Sequence, residues 1–190
     1  MDLTSRPSAN CCVIAVPTAA DANRLAQALA QIAAMVSGAP VPEPHVTLAY
    51  YYRVTEAQAK RLGQAIANLA AQSPALALQA SRLIRDPAYA SSADPYALFF
   101  EVDKTPPMAV FYTWLRQLGM QRGLEVSPND AESWLPHIKV GSAKTPVPDG
   151  VLDQIDALAP QVHFTATHVV LTFRGEGETW VTLGAYPLAD

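Results

Sequence analysis

The chain has 190 residues, half of them hydrophobic and only 16 % charged, with a formal net charge of −4. That length fits one domain, or two small lobes sharing a core. The acidic balance excludes a broad phosphate-tracking surface for long nucleic acid, but it leaves room for a nucleotide or short oligonucleotide in a local positive pocket.

In chain order, residues 1–10 are polar. Cys11 to Val16 is an apolar run closed by Pro17, which predicts a buried strand. Leu25, Leu29, Ile32 and Val36 recur at helical spacing from Asp21 onward, with Thr18 or Asp21 as the cap. Gly38, Pro40, Pro42 and Pro44 stiffen a loop, and a strand then runs from His45 to about Tyr52. Thr55-Glu56-Ala57-Gln58 opens a helix with Leu62, Ile66 and Leu69 on one face, and Leu76 to Ile84 alternates as a strand. Turn formers fill Arg85 to Pro95, and Ala97 to Val102 is the next buried strand. Pro106 and Pro107 start a helix that Gly123 ends. A polar loop over 125–133 leads to a second His strand ending near Gly141, then a short helix from Pro148 to Leu158. Two strands close the chain, Val162 to Phe173 and Thr179 to Tyr186, joined by a Gly175-Glu176-Gly177 turn.

Two of these strands carry one motif. Pro44-His45-Val46-Thr47-Leu48 recurs as Pro136-His137-Ile138-Lys139-Val140. Side chains alternate along a strand, so His45 shares a face with Thr47, and His137 with Lys139. The apolar residues between them face a core. Each half reads strand, helix, His strand, helix, strand, which gives a duplicated α+β unit with halves of roughly 11–84 and 97–186. A pseudo-twofold between them turns the two His strands toward each other, as two-sided acid–base chemistry requires.

These motifs resemble the two-histidine phosphoesterase superfamily, whose best-known branch is the RNA 2′,3′-cyclic phosphodiesterases, also called 2′-5′ RNA ligases. Its pattern is His-x-Thr/Ser twice, each followed by an apolar residue. The first motif fits fully; the second has Lys139 where the family has Thr or Ser. The resemblance covers nearly the whole chain. It implies a bilobal α+β fold with two largely antiparallel sheets lining a central groove and helices outside. It also implies metal-independent hydrolysis of a 2′,3′-cyclic phosphate or 2′-5′ phosphodiester. His45 and His137 are then the catalytic acid and base, and Thr47 and Lys139 hold phosphate oxygens. A cation beside His137 is expected to lower its proton affinity and suit it to be the base. Two readings stay open beside this one: a hydrolase of another small cyclic phosphate, and a non-catalytic nucleotide- or RNA-binding module.

Three more residues are candidates for substrate contact. Tyr51 continues the His45 face by simple alternation and could stack a base, or pack in the core. Trp134 precedes the second motif, and Arg174 ends a strand beside a glycine turn; a packing or surface role fits each equally well. His163 and His168 fall on opposite faces of the last long strand and are given no role. Cys11 and Cys12 are adjacent and read as core residues. They cannot staple distant parts of a fold or supply a four-ligand zinc site. No apolar run reaches the roughly 20 residues that cross a bilayer, and no secretory pattern opens the chain. The expectation is a reduced, cytoplasmic monomer that works without metal or cofactor.

Overall fold

A computed structural model describes residues 9–86, 89, 94–174 and 179–189. The elements follow in the order β1 (Ala9–Ala15), α1 (Ala19–Met35), β2 (Val46–Val54), α2 (Glu56–Ala70), β3 (Leu76–Leu83), β4 (Ala97–Val102) and α3 (Pro106–Gln121). They continue with β5 (Glu125–Val126), β6 (His137–Ser142), α4 (Asp149–Asp156), a 3₁₀ turn (Ala159–Gln161), β7 (His163–Ala166), β8 (His168–Arg174) and β9 (Val181–Pro187).

Local chemistry sets most of these boundaries. The Thr18 side chain accepts from the Asp21 N–H and starts α1. Thr55 and Gln58 form a reciprocal capping box on α2. Pro106 and Pro107 occupy the first turn of α3, where no intrahelical N–H is needed. Gly123, at φ 66°, turns the chain out of that helix.

The strands form one continuous nine-stranded sheet in the order β7-β3-β4-β6-β2-β1-β8-β9, with β5 added beside β2. All named strand pairs are antiparallel. Two largely antiparallel sheets were expected, and the strands form two antiparallel half-sheets that join at a waist, where β2 meets β6 through the pair Val46 and Ile138. The helices pack on one side: α1 on β6 and β7, α2 on β8 and β9, α3 on β2 and β5, and α4 on β3. The buried aliphatic faces of the strands meet them there.

The repeat order seen in the sequence is present, but the third strand of each half crosses over. Strand β3 pairs with β4 of the second half, and β8 pairs with β1 of the first. The single strand expected over Val162 to Phe173 breaks at Thr167, and its pieces go to different half-sheets as β7 and β8. No glycine or proline marks that break, so alternation alone runs straight through it. The expected Gly175-Glu176-Gly177 turn lies outside the described residues.

Helix α3 approaches β2 closely because it has no side chain at Gly119. A Cβ placed there would sit 2.5 Å from the Tyr51 ring and 2.7 Å from Val126. In an open helix, glycine to alanine gains about 1 kcal/mol. Here the clash outweighs that gain, since overpacking a filled core costs about 1–3 kcal/mol. The expected outcome for Gly119→Ala is a lower urea midpoint with an unchanged m-value; a midpoint at or above wild type would show that α3 moves away freely.

Candidate active site

The waist of the sheet brings the two motifs together. His45 immediately precedes β2 and His137 opens β6. With Val46 paired to Ile138, antiparallel register puts Thr47 opposite His137 and His45 opposite Lys139. All four side chains lie on the face away from the helices, while Val46, Leu48, Ile138 and Val140 are buried on the other. The histidines are then diagonal neighbours, about 7–8 Å apart at the backbone.

Each imidazole is held in the same way. Nδ1 of His45 lies 2.9 Å from the Glu43 carbonyl, and Nδ1 of His137 lies 3.0 Å from the Leu135 carbonyl. A carbonyl only accepts, so Nδ1 carries the proton in both rings and donates it. Nε2 is then the acceptor nitrogen of either ring when it is neutral.

The surroundings of His137 then set its charge. Burial lowers its proton affinity, the Leu135 hydrogen bond pulls the other way, and the charge of His45 lowers it further; the net shift is downward. The direction matches the sequence expectation, but its cause does not. The Lys139 ammonium is paired with the Asp94 carboxylate at 2.6 Å, and Ser142 donates to the same oxygen at 2.8 Å. Burial works against the charge of Asp94, but these hydrogen bonds outweigh it and hold the carboxyl below its usual range. A cation with its counter-ion in contact exerts little push on a neighbouring ring.

The burial of His137 comes from two residues that the sequence reading missed. Tyr89 and Phe99 meet its ring edge-on, with centroids 5.2 and 5.4 Å away. Both rings also border a cavity of ≈ 160 Å³ that continues past Ile84, Tyr96 and Leu152. Phe99 is paired with Lys139 across β4 and β6, so strand register was the only signal that could have placed it. Tyr89 comes from the segment read as a loop, where alternation has no meaning.

Tyr51 is not in the groove. It is fully buried, and its hydroxyl donates to the Leu115 carbonyl at 2.9 Å. A β-bulge is responsible: Val13 pairs with Ala49 but Ile14 pairs with Thr47, so Leu48 is an extra residue on β2. One extra residue reverses the alternation beyond it. Tyr50 and Tyr52 therefore join the His45 face, and Tyr51 turns to the core. Trp134 is also removed from any substrate: it is 7 % exposed and stacks on Tyr112 at 4.1 Å and 9°. It braces the loop after β5, whose first two expected residues, Glu125 and Val126, are strand; Lys104 also ties that loop down through the Ala131 and Glu132 carbonyls.

Arg174 pairs with Asn10 at the end of β8, on the same face as Tyr50, and its guanidinium lies 5.9 Å over the Trp180 ring. His163 is elsewhere, on β7, 2.8 Å from Arg24. His168 opens β8, which the break at Thr167 separates from β7. Among the described residues, no three His, Cys, Asp or Glu side chains converge to hold a metal ion. Among the described residues, no helix is long and apolar enough to cross a membrane.

A family model described as the 2′-5′ RNA ligase superfamily matches residues 16–178. Among solved structures, one described as a phosphoesterase superposes with a TM-score of 0.63 at 16 % identity, covering 98 % of this chain and 100 % of its own. LigT of E. coli complexed with 3′-AMP gives a TM-score of 0.62 at 17 % identity, covering 98 % of this chain and 100 % of its own. The MHV ns2 PDE domain gives 0.54 at 14 % identity, covering 94 % of this chain and 100 % of its own. At these identities the structural likeness is one of fold. A comparison with curated protein sequences finds no match.

The site makes a titration prediction. In the free protein, NMR should show His137 titrating below the ordinary histidine value of 6.5, because burial disfavours its charged form. His45→Ala should raise that midpoint by removing a nearby positive charge. Lys139→Thr should leave it in place, because Asp94 already balances the ammonium. A midpoint that climbs in Lys139→Thr would return the cause to the lysine.

Proposed function

The chain belongs to the 2′-5′ RNA ligase superfamily, and from that premise we propose that it is a metal-independent phosphodiesterase opening a 2′,3′-cyclic phosphate or cleaving a 2′-5′ phosphodiester of RNA. The observation that carries this reading is the matched pair of Nδ1–carbonyl hydrogen bonds, which leaves two Nε2 atoms to serve one groove. A ring held only to fill space has no need of the same tautomer lock twice. The complex of LigT with 3′-AMP supports a ligand of nucleotide type.

His137 is the general base. Its lowered proton affinity keeps it neutral in the free enzyme, so Nε2 accepts a proton from the attacking water. As the water oxygen bonds to phosphorus, one phosphorus–oxygen bond to ribose breaks. Protonated His45 gives its Nε2 proton to that departing oxygen. Thr47, opposite His137, donates its hydroxyl to a non-bridging phosphate oxygen. Lys139, opposite His45, donates an ammonium N–H to another phosphate oxygen, and Asp94 fixes its direction. The net charge of −4 favours a small or short substrate over long RNA, and keeps other small cyclic phosphates in the test.

The test is a panel of 2′,3′-cyclic and 3′,5′-cyclic nucleotides, cyclic-phosphate-ended RNAs and 2′-5′ oligomers. Turnover should survive EDTA; loss that a divalent ion restores would overturn the chemistry. His45→Ala and His137→Ala should each lower kcat by about 10²–10⁴-fold, with KM changing little. Binding without turnover of any panel member would make the protein a binding module. The acid limb of kcat/KM should lie below pH 6.5, since a lowered His137 pKa keeps the base neutral into more acidic solution.

A further inference from the structure

Beyond the bulge in β2, the groove face of the β2-β1-β8-β9 half-sheet carries a cluster that the hydrolytic chemistry does not use. Tyr50 and Tyr52 lie with ring centroids 4.7 Å apart, tilted by 45°. Trp180 stands edge-on to Tyr50, at 6.2 Å and 82°. Arg174 covers the Trp180 ring at 5.9 Å. Trp180 keeps 40 % of its surface exposed, just ahead of β9, and neighbouring Val181 keeps 49 %.

The core does not need these rings, because Tyr51 fills the space under α3 from the same strand. Three aromatic rings and one guanidinium are what a sequence-tolerant binder of single strands presents: π-faces for bases and a cation for the backbone. Distance assigns the occupant. Tyr50 and Tyr52 follow His45 by five and seven residues, which at about 3.3 Å per residue is roughly 17–23 Å along β2. A base on the ribose that carries the reacting phosphate cannot reach so far, but a base farther along the chain can.

We propose that Tyr50, Tyr52, Trp180 and Arg174 form a subsite for a second nucleotide, on the 5′ side of the one that reacts. The substrate class is then a short single-stranded RNA rather than a mononucleotide. This rests on the phosphodiesterase reading for the identity of the reacting end. It also reconciles an acidic chain with an RNA substrate, because stacking supplies the affinity that a basic surface would otherwise provide.

The test compares a 2′,3′-cyclic mononucleotide with a trinucleotide ending in the same cyclic phosphate. In parallel, anisotropy measures binding of a 5′-fluorescein-labelled trinucleotide with a 3′-phosphate end. The wild type should show a higher kcat/KM for the trinucleotide. Trp180→Ala should reduce that value and the labelled probe's affinity by roughly 5- to 150-fold, the range for one stacked base, through KM and with mononucleotide turnover unchanged. Trp180→Phe should keep most of the gain and Trp180→Leu should lose it, which separates a π-face from apolar bulk. Equal kcat/KM for the two substrates in wild type, or equal loss on both in Trp180→Ala, would overturn the subsite and leave the catalytic reading standing. Should neither substrate turn over, weaker probe binding in Trp180→Ala would support the subsite without the hydrolysis. No binding of the probe would overturn both.

Discussion

The backbone pairing of Val46 with Ile138 is the constraint on which the site depends. Without it the protein is two half-sheets, each with one histidine and no partner for it. The pairing brings the strands within the usual 4.7–4.9 Å and aligns the two motifs in antiparallel register. The apolar pair of each motif is anchored in the helix-covered core, so the polar pairs are held at fixed spacing on the open side. Beyond this pair, β6 continues along β4, and β2 continues along β1 and then β5. That divergence separates the two half-sheets on either side of the histidines.

Within the groove the two halves are alike in tether and unlike in surroundings. Both rings hang from a carbonyl two residues back, yet only His137 is enclosed by Tyr89 and Phe99. Symmetric tethers give two imidazoles with the same nitrogen available. Enclosure on one side only lowers the proton affinity of His137. Lys139 fits the same logic: Asp94 and Ser142 hold it, so its charge is directed rather than loose.

Much of this was legible in the sequence because local rules decide it. Caps, proline positions and alternation gave the helices and most strands within a few residues, and the repeated motif gave both histidines with their neighbours. What failed depended on pairing. Alternation carried Tyr51 into the groove, because an extra residue at Leu48 leaves no mark in composition; it appears only when β1 is laid beside β2. The break at Thr167 was hidden for the same reason, since both sides of it are good strand. Trp134 stands beside the motif in sequence, but Tyr112, from α3, covers it. Trp180 went unnoticed because its neighbours come from β2 and β8, far away in the chain.

The crossing of β3 and β8 also bears on how the chain reaches this state. Neither half of the sequence holds a complete half-sheet: the first lends its third strand forward to β4, and the second lends β8 back to β1. The interior pairing of β1 with β8 therefore waits until most of the chain is available. Closing so long a loop carries its entropic cost before the contacts compensate for it, the condition under which folding is slow. A nascent chain stopped after β3 would expose the edge of β1 and have no β4 for β3 to join. The two stretches that carry the matching histidines thus form one interlocked molecule, separable as text but not as folding units.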